Sequence, residues 1–317
     1  DLTSSSSHSP SLSETKPNDE NDADSKASVF GNSTNASKRS INLALSHRGQ
    51  CALSQIGLLN EVMTTAIPMT GRMIHDSTGT LNYQPYGKKH EAINSISRET
   101  LNILLLNRCK SLKNVHVHFG YTIDVLESDI LCKFKNVSKM KENSTRGEFE
   151  MHFDFIIGAD GAYSSTRELM LKKGRINFSR SYIAHGYKEL HIPPSKDGNF
   201  QLENPNALHI WPRGEFMLIA LPNADKSFTA TLFAPYSGQY GFDSIDQNDP
   251  NMVMKYFQKY FPDAIPLLPD LVNDFKNNPV GALVTVKVKP WHVKLGNDVS
   301  CVLIGDAAHA VVPFYGQ

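Results

Sequence analysis

Two stretches far apart in the chain share one grammar, and together they constrain the fold more than any other feature. The first runs Phe155-Ile156-Ile157-Gly158-Ala159-Asp160-Gly161 and the second Cys301-Val302-Leu303-Ile304-Gly305-Asp306-Ala307-Ala308-His309. Each is a short apolar run that breaks at glycine and sets an aspartate just beyond the break. A helix then opens, near Ser164 in one case and over Ala307 to Val311 in the other. Such runs read as buried strands, and two matching turns imply two strands of one sheet delivering polar groups to one edge. Carboxylates and free backbone N–H groups at the carboxyl edge of a sheet are where nucleotide cofactors bind. Taken alone, Asp306 reads either as a helix cap or as an acceptor for ribose hydroxyls.

The chain of 317 residues, 40% hydrophobic, is long enough for a large core and is expected to form two lobes. Lys+Arg and Asp+Glu are equal at 32 each, so overall charge gives no reason to expect a nucleic acid or an anionic membrane as partner. Cys51, Cys109, Cys132 and Cys301 form no CxxC pair, which suits reduced thiols rather than disulfides or zinc. No run of about 18 apolar residues marks a membrane span. The sequence begins at Asp1 and stops within the second Gly/Asp element, which reads as a piece of a longer protein.

Residues 1–40 hold twelve serines and almost no large apolar side chain, too little apolar surface to offset ordering entropy, and are expected to be disordered. From Ile41 to Leu45 the pattern alternates as a strand, Ser46-His47-Arg48-Gly49 turns, and a helix is expected from about Gln50 to Leu59. Arg48 is there as a solvated charge or as an anion contact. Arg72–Asp76 and Thr80–Tyr83 form a hairpin through Ser77-Thr78-Gly79, with Tyr86 beyond it. Ser97 caps a helix over Arg98–Lys110 with Leu101, Leu104 and Leu105 on one face. Arg98 sits in its first turn, where the helix dipole disfavours a cation, so it is a surface charge or a functional one. Val115–Phe119, Tyr121–Leu126, Ile130–Lys135 and Phe149–Phe155 read as short strands, with a polar hairpin around Lys139–Arg146. Beyond Asp160 the strands Ala184–Ile192, Leu208–Trp211, Phe216–Leu221 and Phe228–Phe233 follow, with a turn at Pro212–Glu215, then helices over Met252–Phe261 and Leu267–Phe275. Met217, Ile219, Leu221 and Phe233 share one face of a hairpin. That face is core by default, or else the apolar wall of an aromatic-ligand site.

Gly158-Ala159-Asp160-Gly161 with Arg167 resembles the second fingerprint of the flavin-dependent aromatic hydroxylases, and Gly305–His309 with Pro313 and Gly316 resembles the third. The blocks Ser40–Gly49, Gly71–His75, Ala92–Ile96, Leu208–Arg213 and Pro313–Gln317 come in the order of the branch that hydroxylates L-kynurenine. The resemblance implies a mixed α/β (α+β) architecture. An incomplete Rossmann-like FAD-binding domain is expected from residues 41–70, 98–178 and 280–317, and an inserted, mainly antiparallel substrate domain from 71–97 and 179–279. It implies FAD as cofactor and NADPH and O2 as cosubstrates. The reaction implied is hydroxylation of L-kynurenine at carbon 3 through a flavin C4a-hydroperoxide, a step of tryptophan catabolism toward pyridine nucleotides. It further implies the cytosolic face of the mitochondrial outer membrane, contacted through a C-terminal region outside this chain.

By the same resemblance Ala44, Arg48, Arg98, Ile123, Asp160, Gly161, Ser165, Arg167, Gly305 and Asp306 contact FAD. Arg72 and Tyr86 hold the kynurenine carboxylate, and a guanidinium fork with a phenol does match a carboxylate's acceptor oxygens. Met217, Ile219, Leu221, Phe233, Phe314 and Gln317 enclose the aminophenyl ketone, and Pro313, Gly316 and Gln317 face the flavin. No side chain is expected to act as general acid or base, because the cofactor supplies the difficult chemistry. His309 is read as packing below the flavin, not as a metal ligand. The family's Gly-rich first fingerprint would precede Ile41, where this sequence has the Ser-rich stretch instead. Two rivals follow: a related hydroxylase of another aromatic acid or phenol, and a fragment unable to retain FAD.

Overall fold

The computed structural model describes residues 42–88, 91–126, 131–136, 148–295 and 300–312. The Ser-rich stretch, the hairpin expected near Lys139–Arg146 and the segment Pro313–Gln317 lie outside them. In chain order, β1 (Asn42–Leu45), α1 (His47–Gln55) and α2 (Leu59–Met63) precede β2 (Ile67–Met69), β3 (Gly71–His75), β4 (Leu81–Pro85) and β5 (Ile93–Ser97). Then come α3 (Arg98–Ser111), β6 (Tyr121–Leu126), β7 (Leu131–Asn136), β8 (Phe149–His152), β9 (Phe155–Gly158) and α4 (Ser165–Leu171). The large β region is β10 (Asn177–Ile192), β11 (Ala207–Arg213), β12 (Phe216–Pro222) and β13 (Phe228–Pro235). It is followed by α5 (Pro250–Tyr260), α6 (Leu271–Asn277), β14 (Gly281–Lys289), β15 (His292–Lys294), β16 (Ser300–Leu303) and α7 (Asp306–His309).

Among the described residues four sheets result, in the orders β1-β5-β2, β14-β10-β13-β12-β11-β3-β4, β15-β16-β9 and β6-β7-β8. The seven-stranded sheet buries one face. Trp211, Leu218, Phe228 and Leu232 pack there against Val253, Phe257 and Phe275 of α5 and α6. Helix α5 forms because Asp249 Oδ1 accepts the Asn251 N–H at its start, Pro250 loses no bond at the first helical position, and Val253, Tyr256 and Phe257 fall on one side. A second core joins β6, β7, β14, β16 and α7 through Leu126, Cys132, Val286, Cys301, Leu303 and Ala307. Strand β14, expected with the cofactor-binding segments, serves both regions. It pairs with β10 at the edge of the large sheet, while Val286 N–H donates to Ala310 O at 2.9 Å.

Several element boundaries differ from expectation for identifiable reasons. Helix α1 starts at His47, because Gly49 does not break the helix but lets it close on β1. A Cβ at Gly49 would stand 2.6 Å from Leu45 Cδ1. Val115–Phe119 alternates yet forms no strand, since alternation needs a pairing partner and the segment finds none among the described residues. The run Phe149–Phe155 divides at Phe153-Asp154 and feeds two different sheets. Helix α6 begins at Leu271, after Pro266 and Pro269, which cannot donate to a helix ladder.

The face holding Met217, Ile219, Leu221 and Phe233 is not the core. Met217, Ile219 and Phe233 are half-buried, although Leu221 is buried at the end of the strand, and the alternate residues Phe216, Leu218, Ala220 and Leu232 fill the interior instead. We therefore expect Phe257→Ala, on the packed side, to cost about 3–5 kcal/mol. Ile219→Ala should cost about 1–2 kcal/mol, because much of its apolar surface already meets water. Urea unfolding checks the pair, and equal losses would place a core on both sides of the sheet.

Candidate functional site

Strands β9 and β16 are parallel neighbours, with Val302 opposite Ile157 and Leu303 opposite Gly158, and Ile304 N–H donates to Gly158 O at 3.0 Å. Both Gly/Asp turns therefore leave the same edge of one sheet, as their sequences imply. Gly305 has φ 57° and ψ −141°, a conformation in which a side chain is strained, and Gly161 has φ 80°. Among the described residues, chain neighbours aside, no atom lies within 4 Å of where a Cβ would stand on either glycine. The backbone of both turns is open to a molecule approaching the edge.

The two aspartates do different work. Asp160 Oδ1 accepts from Ser164 Oγ, and Oδ2 accepts from Thr166 N at 2.9 Å and Thr166 Oγ1 at 3.0 Å. Burial alone would raise its pKa, but these hydrogen bonds outweigh burial and hold the carboxyl below its ordinary range. Ser164 Oγ in turn accepts the Arg167 N–H at 2.9 Å. Asp160 is thus the acceptor that organises the start of α4, beside the exposed Ser165. Asp306 is exposed, and its side chain makes no hydrogen bond among the described residues. Its sequence leaves a cap and a ligand acceptor open; in the structure Gly305 holds the cap position and Asp306 is the first residue of α7. His309 is exposed on α7, its ring 5.2 Å from Trp291.

Arg167, expected to contact the cofactor, is wholly buried. Its guanidinium donates to Ala162 O at 2.8 Å and to Ala307 O at 3.0 Å, and lies 4.4 Å from the centre of the Phe178 ring. It joins one Gly/Asp turn to the other. The remaining cofactor candidates are dispersed. Ala44 pairs with Ser95 in the β1–β5 ladder, where Asn42 stands opposite Ser97. Arg98 therefore follows the ladder at its Asn42 end and Arg48 at its Leu45 end. Ile123 lies at a bulge in β6, half-buried against the second core.

Substrate candidates converge more closely. The Arg72 guanidinium stands 5.3 Å from the centre of the Tyr86 ring. Register carries Arg72 and Ile74 onto the same sheet face as Leu208 and Ile210, then Met217, Ile219 and Leu221, then Thr229, Thr231 and Phe233, then Tyr187 and Glu189. This is the face that α5 and α6 leave uncovered. Tyr187, Ile210, Thr231 and Glu189 escaped the sequence reading. The signal was there, since β10 and β11 alternate with period two, but only the register shows which alternate set shares the open side. Burial raises the Tyr187 phenol, Glu189 adds to this, and Arg98 opposes it. A cavity of about 370 Å³ opens nearby, lined among others by Ser95, Ser97, Thr100, Glu189, His191 and Thr229. The expected contributions of Pro313, Phe314, Gly316 and Gln317 lie outside the described residues.

A carboxylate with no hydrogen-bond partner among the described residues, two open glycine backbones and flanking apolar groups such as Ile304 and Tyr163 form a set that fits a ribityl chain and an aromatic ring system. No family model matches the chain. The chain is 44% identical to a kynurenine 3-monooxygenase of Dictyostelium discoideum over 286 residues, covering 90% of this chain and 59% of that protein. It is 45% identical to one of Flavobacterium johnsoniae over 285 residues, covering 89% and 60%. It thus spans about three fifths of the curated relatives it matches. The fold matches that of a 2-methyl-3-hydroxypyridine-5-carboxylic acid oxygenase with a TM-score of 0.65 at 19% identity, over 87% of this chain and 67% of the other.

Removing the Asp160 carboxylate should cost about 1–2 kcal/mol through loss of the α4 start. The sign follows from a depressed folded pKa: that stability is full above the unfolded value of about 4 and is lost as pH falls through the folded one. Arg167→Lys, which keeps a charge but not the fork, should cost about 2–3 kcal/mol. Asp306→Ala should leave stability within about 0.5 kcal/mol. Thermal unfolding of the three variants against pH checks all of this.

Proposed function

We propose, from the premise that this chain is a relative of the kynurenine 3-monooxygenases, that it carries the flavin edge and the substrate face of an FAD- and NADPH-dependent hydroxylase of L-kynurenine. One observation carries the reading: an exposed carboxylate edge built by β9 and β16 accompanies a separate open sheet face on which an arginine meets a tyrosine beside apolar side chains. Asp306 would accept hydrogen bonds from ribityl or ribose hydroxyls, and the open backbone at Gly161 and Gly305 would let the cofactor lie close. When bound, FAD takes a hydride from NADPH and activates O2, so that one oxygen atom enters the ring and the other leaves as water.

The protein's own residues position and exclude. Arg72 and Tyr86 anchor the substrate carboxylate, which fixes the reach of the aromatic ring across the sheet. Ile219, Met217 and Phe233 then hold the ring by apolar contact and keep water from it. Attachment to the mitochondrial outer membrane, facing the cytosol, is carried over from the same resemblance. Among the described residues no helix is long and apolar enough to cross a membrane.

In the flavin-loaded protein, Arg72→Ala should raise the kynurenine KM roughly 10–100-fold, as expected for loss of a charge-assisted pair, with flavin content unchanged. Asp306→Ala should do the reverse and release flavin. NADPH consumption coupled to 3-hydroxykynurenine formation, compared across kynurenine, aromatic acids and phenols, checks the substrate. Loss of flavin in Arg72→Ala with an unchanged KM would assign Arg72 to the cofactor instead.

A further inference from the structure

Strand β3 carries two residues of opposite direction. Arg72 and His75 are three apart, so alternation sends Arg72 to the open face and His75, only 5% exposed, into the layer beneath. There His75 Nε2 lies 2.9 Å from Nδ1 of His209 on β11, and the His75 ring stacks on Trp211 with centres 3.8 Å apart. His75 Nδ1 is 3.4 Å from Asp263 Oδ2, in the turn between α5 and α6. That same oxygen accepts the Trp211 indole N–H at 2.6 Å. Arg213 is 3.9 Å from Asp263 and donates to Tyr260 O at 2.6 Å, to the His75 carbonyl at 3.0 Å and to the Asp76 carbonyl at 3.4 Å.

The hydrogen-bond directions follow from the acceptors. Asn204 O, 3.3 Å from His209 Nε2, can only accept, so His209 carries its proton there and its Nδ1 is bare. His75 Nε2 therefore donates to His209. Burial pushes His209 down to about 4, and burial also lowers His75, with Asp263 opposing and Arg213 reinforcing.

This cluster lies on the packed side of the sheet, across from the open face, so it cannot bind a substrate there. What it holds is the strand. Besides the Arg213 bonds to its end, β3 pairs with β11 over four residues and with β4 over five, and β4, its outer neighbour, is exposed along its whole length. A side chain without polar atoms at position 75 would leave the buried Nδ1 of His209 unpaired. We infer that His75 is a positioning residue for Arg72, fixing β3 through His209, Trp211 and Asp263 so that the guanidinium stands over Tyr86. This rests on the reading of Arg72 as the anchor of the substrate carboxylate.

The test compares His75→Phe and His75→Gln in the flavin-loaded protein, with Arg72→Ala in parallel. Phenylalanine keeps the stacking on Trp211 and loses the hydrogen bonds, whereas glutamine can still donate to His209. We expect His75→Phe to raise the kynurenine KM roughly tenfold through misplacement of Arg72, with kcat within about twofold and flavin content unchanged, and His75→Gln to recover most of the loss. A lowered melting temperature with unchanged KM would overturn the inference and leave His75 a purely structural residue. Loss of flavin together with the rise in KM would also overturn it, because the cluster would then support the whole protein rather than Arg72. Should His75→Phe fail to fold, Asp263→Asn at the half-exposed end of the cluster carries the same expectation, and an unchanged KM there overturns it. An unchanged KM in Arg72→Ala would overturn the underlying reading, and this inference with it.

Discussion

The parallel pairing of β9 with β16 is the constraint from which the candidate site follows. It brings together two turns distant in sequence, and Arg167 then locks them by bonding backbone carbonyls on both, one of them 140 residues away. A guanidinium suits the task because its fork reaches acceptors in two directions while staying charged without water. Close packing completes the junction, since a Cβ on Gly158 would come within 2.8 Å of Leu303 and Thr166. The edge is therefore closely packed at Gly158 and open at Gly161 and Gly305.

The seven-stranded sheet solves a second problem by using its two faces differently. Helices α5 and α6 cover one face with a continuous aromatic and aliphatic core, which leaves the other free to hold half-buried side chains. A surface of this kind can bind an aromatic molecule without unfolding anything, because its stability comes from the opposite side. The cost is that groups on the open face depend on contacts made beneath them. Arg72 on a strand bounded by the exposed β4 illustrates this dependence.

Much of this was legible in the residues, for physical reasons. Period-two alternation located β10 to β13, and capping residues located α3, where Ser97 Oγ accepts the Thr100 N–H at 3.4 Å. The matched Gly/Asp turns foretold the shared edge. Burial was harder to read, because a hairpin alternates identically whichever face is core, and only the helices decide between Ile219 and Leu218. The roles of Asp160 and Arg167 were hidden for a similar reason. A motif shows which residue types stand together, and the hydrogen bonds alone show whether a carboxylate is committed to its own helix, as Asp160 is, or left exposed, as Asp306 is.

Amide hydrogen exchange gives the most direct measurement of the central claim, that one cofactor meets both turns while the substrate meets the open sheet face. Adding FAD should protect segments 158–167 and 304–310 together, and subsequent kynurenine should protect 71–75, 217–221 and 229–233. Protection by FAD at only one of the two turns, or kynurenine protection confined to segments away from that face, would contradict the account.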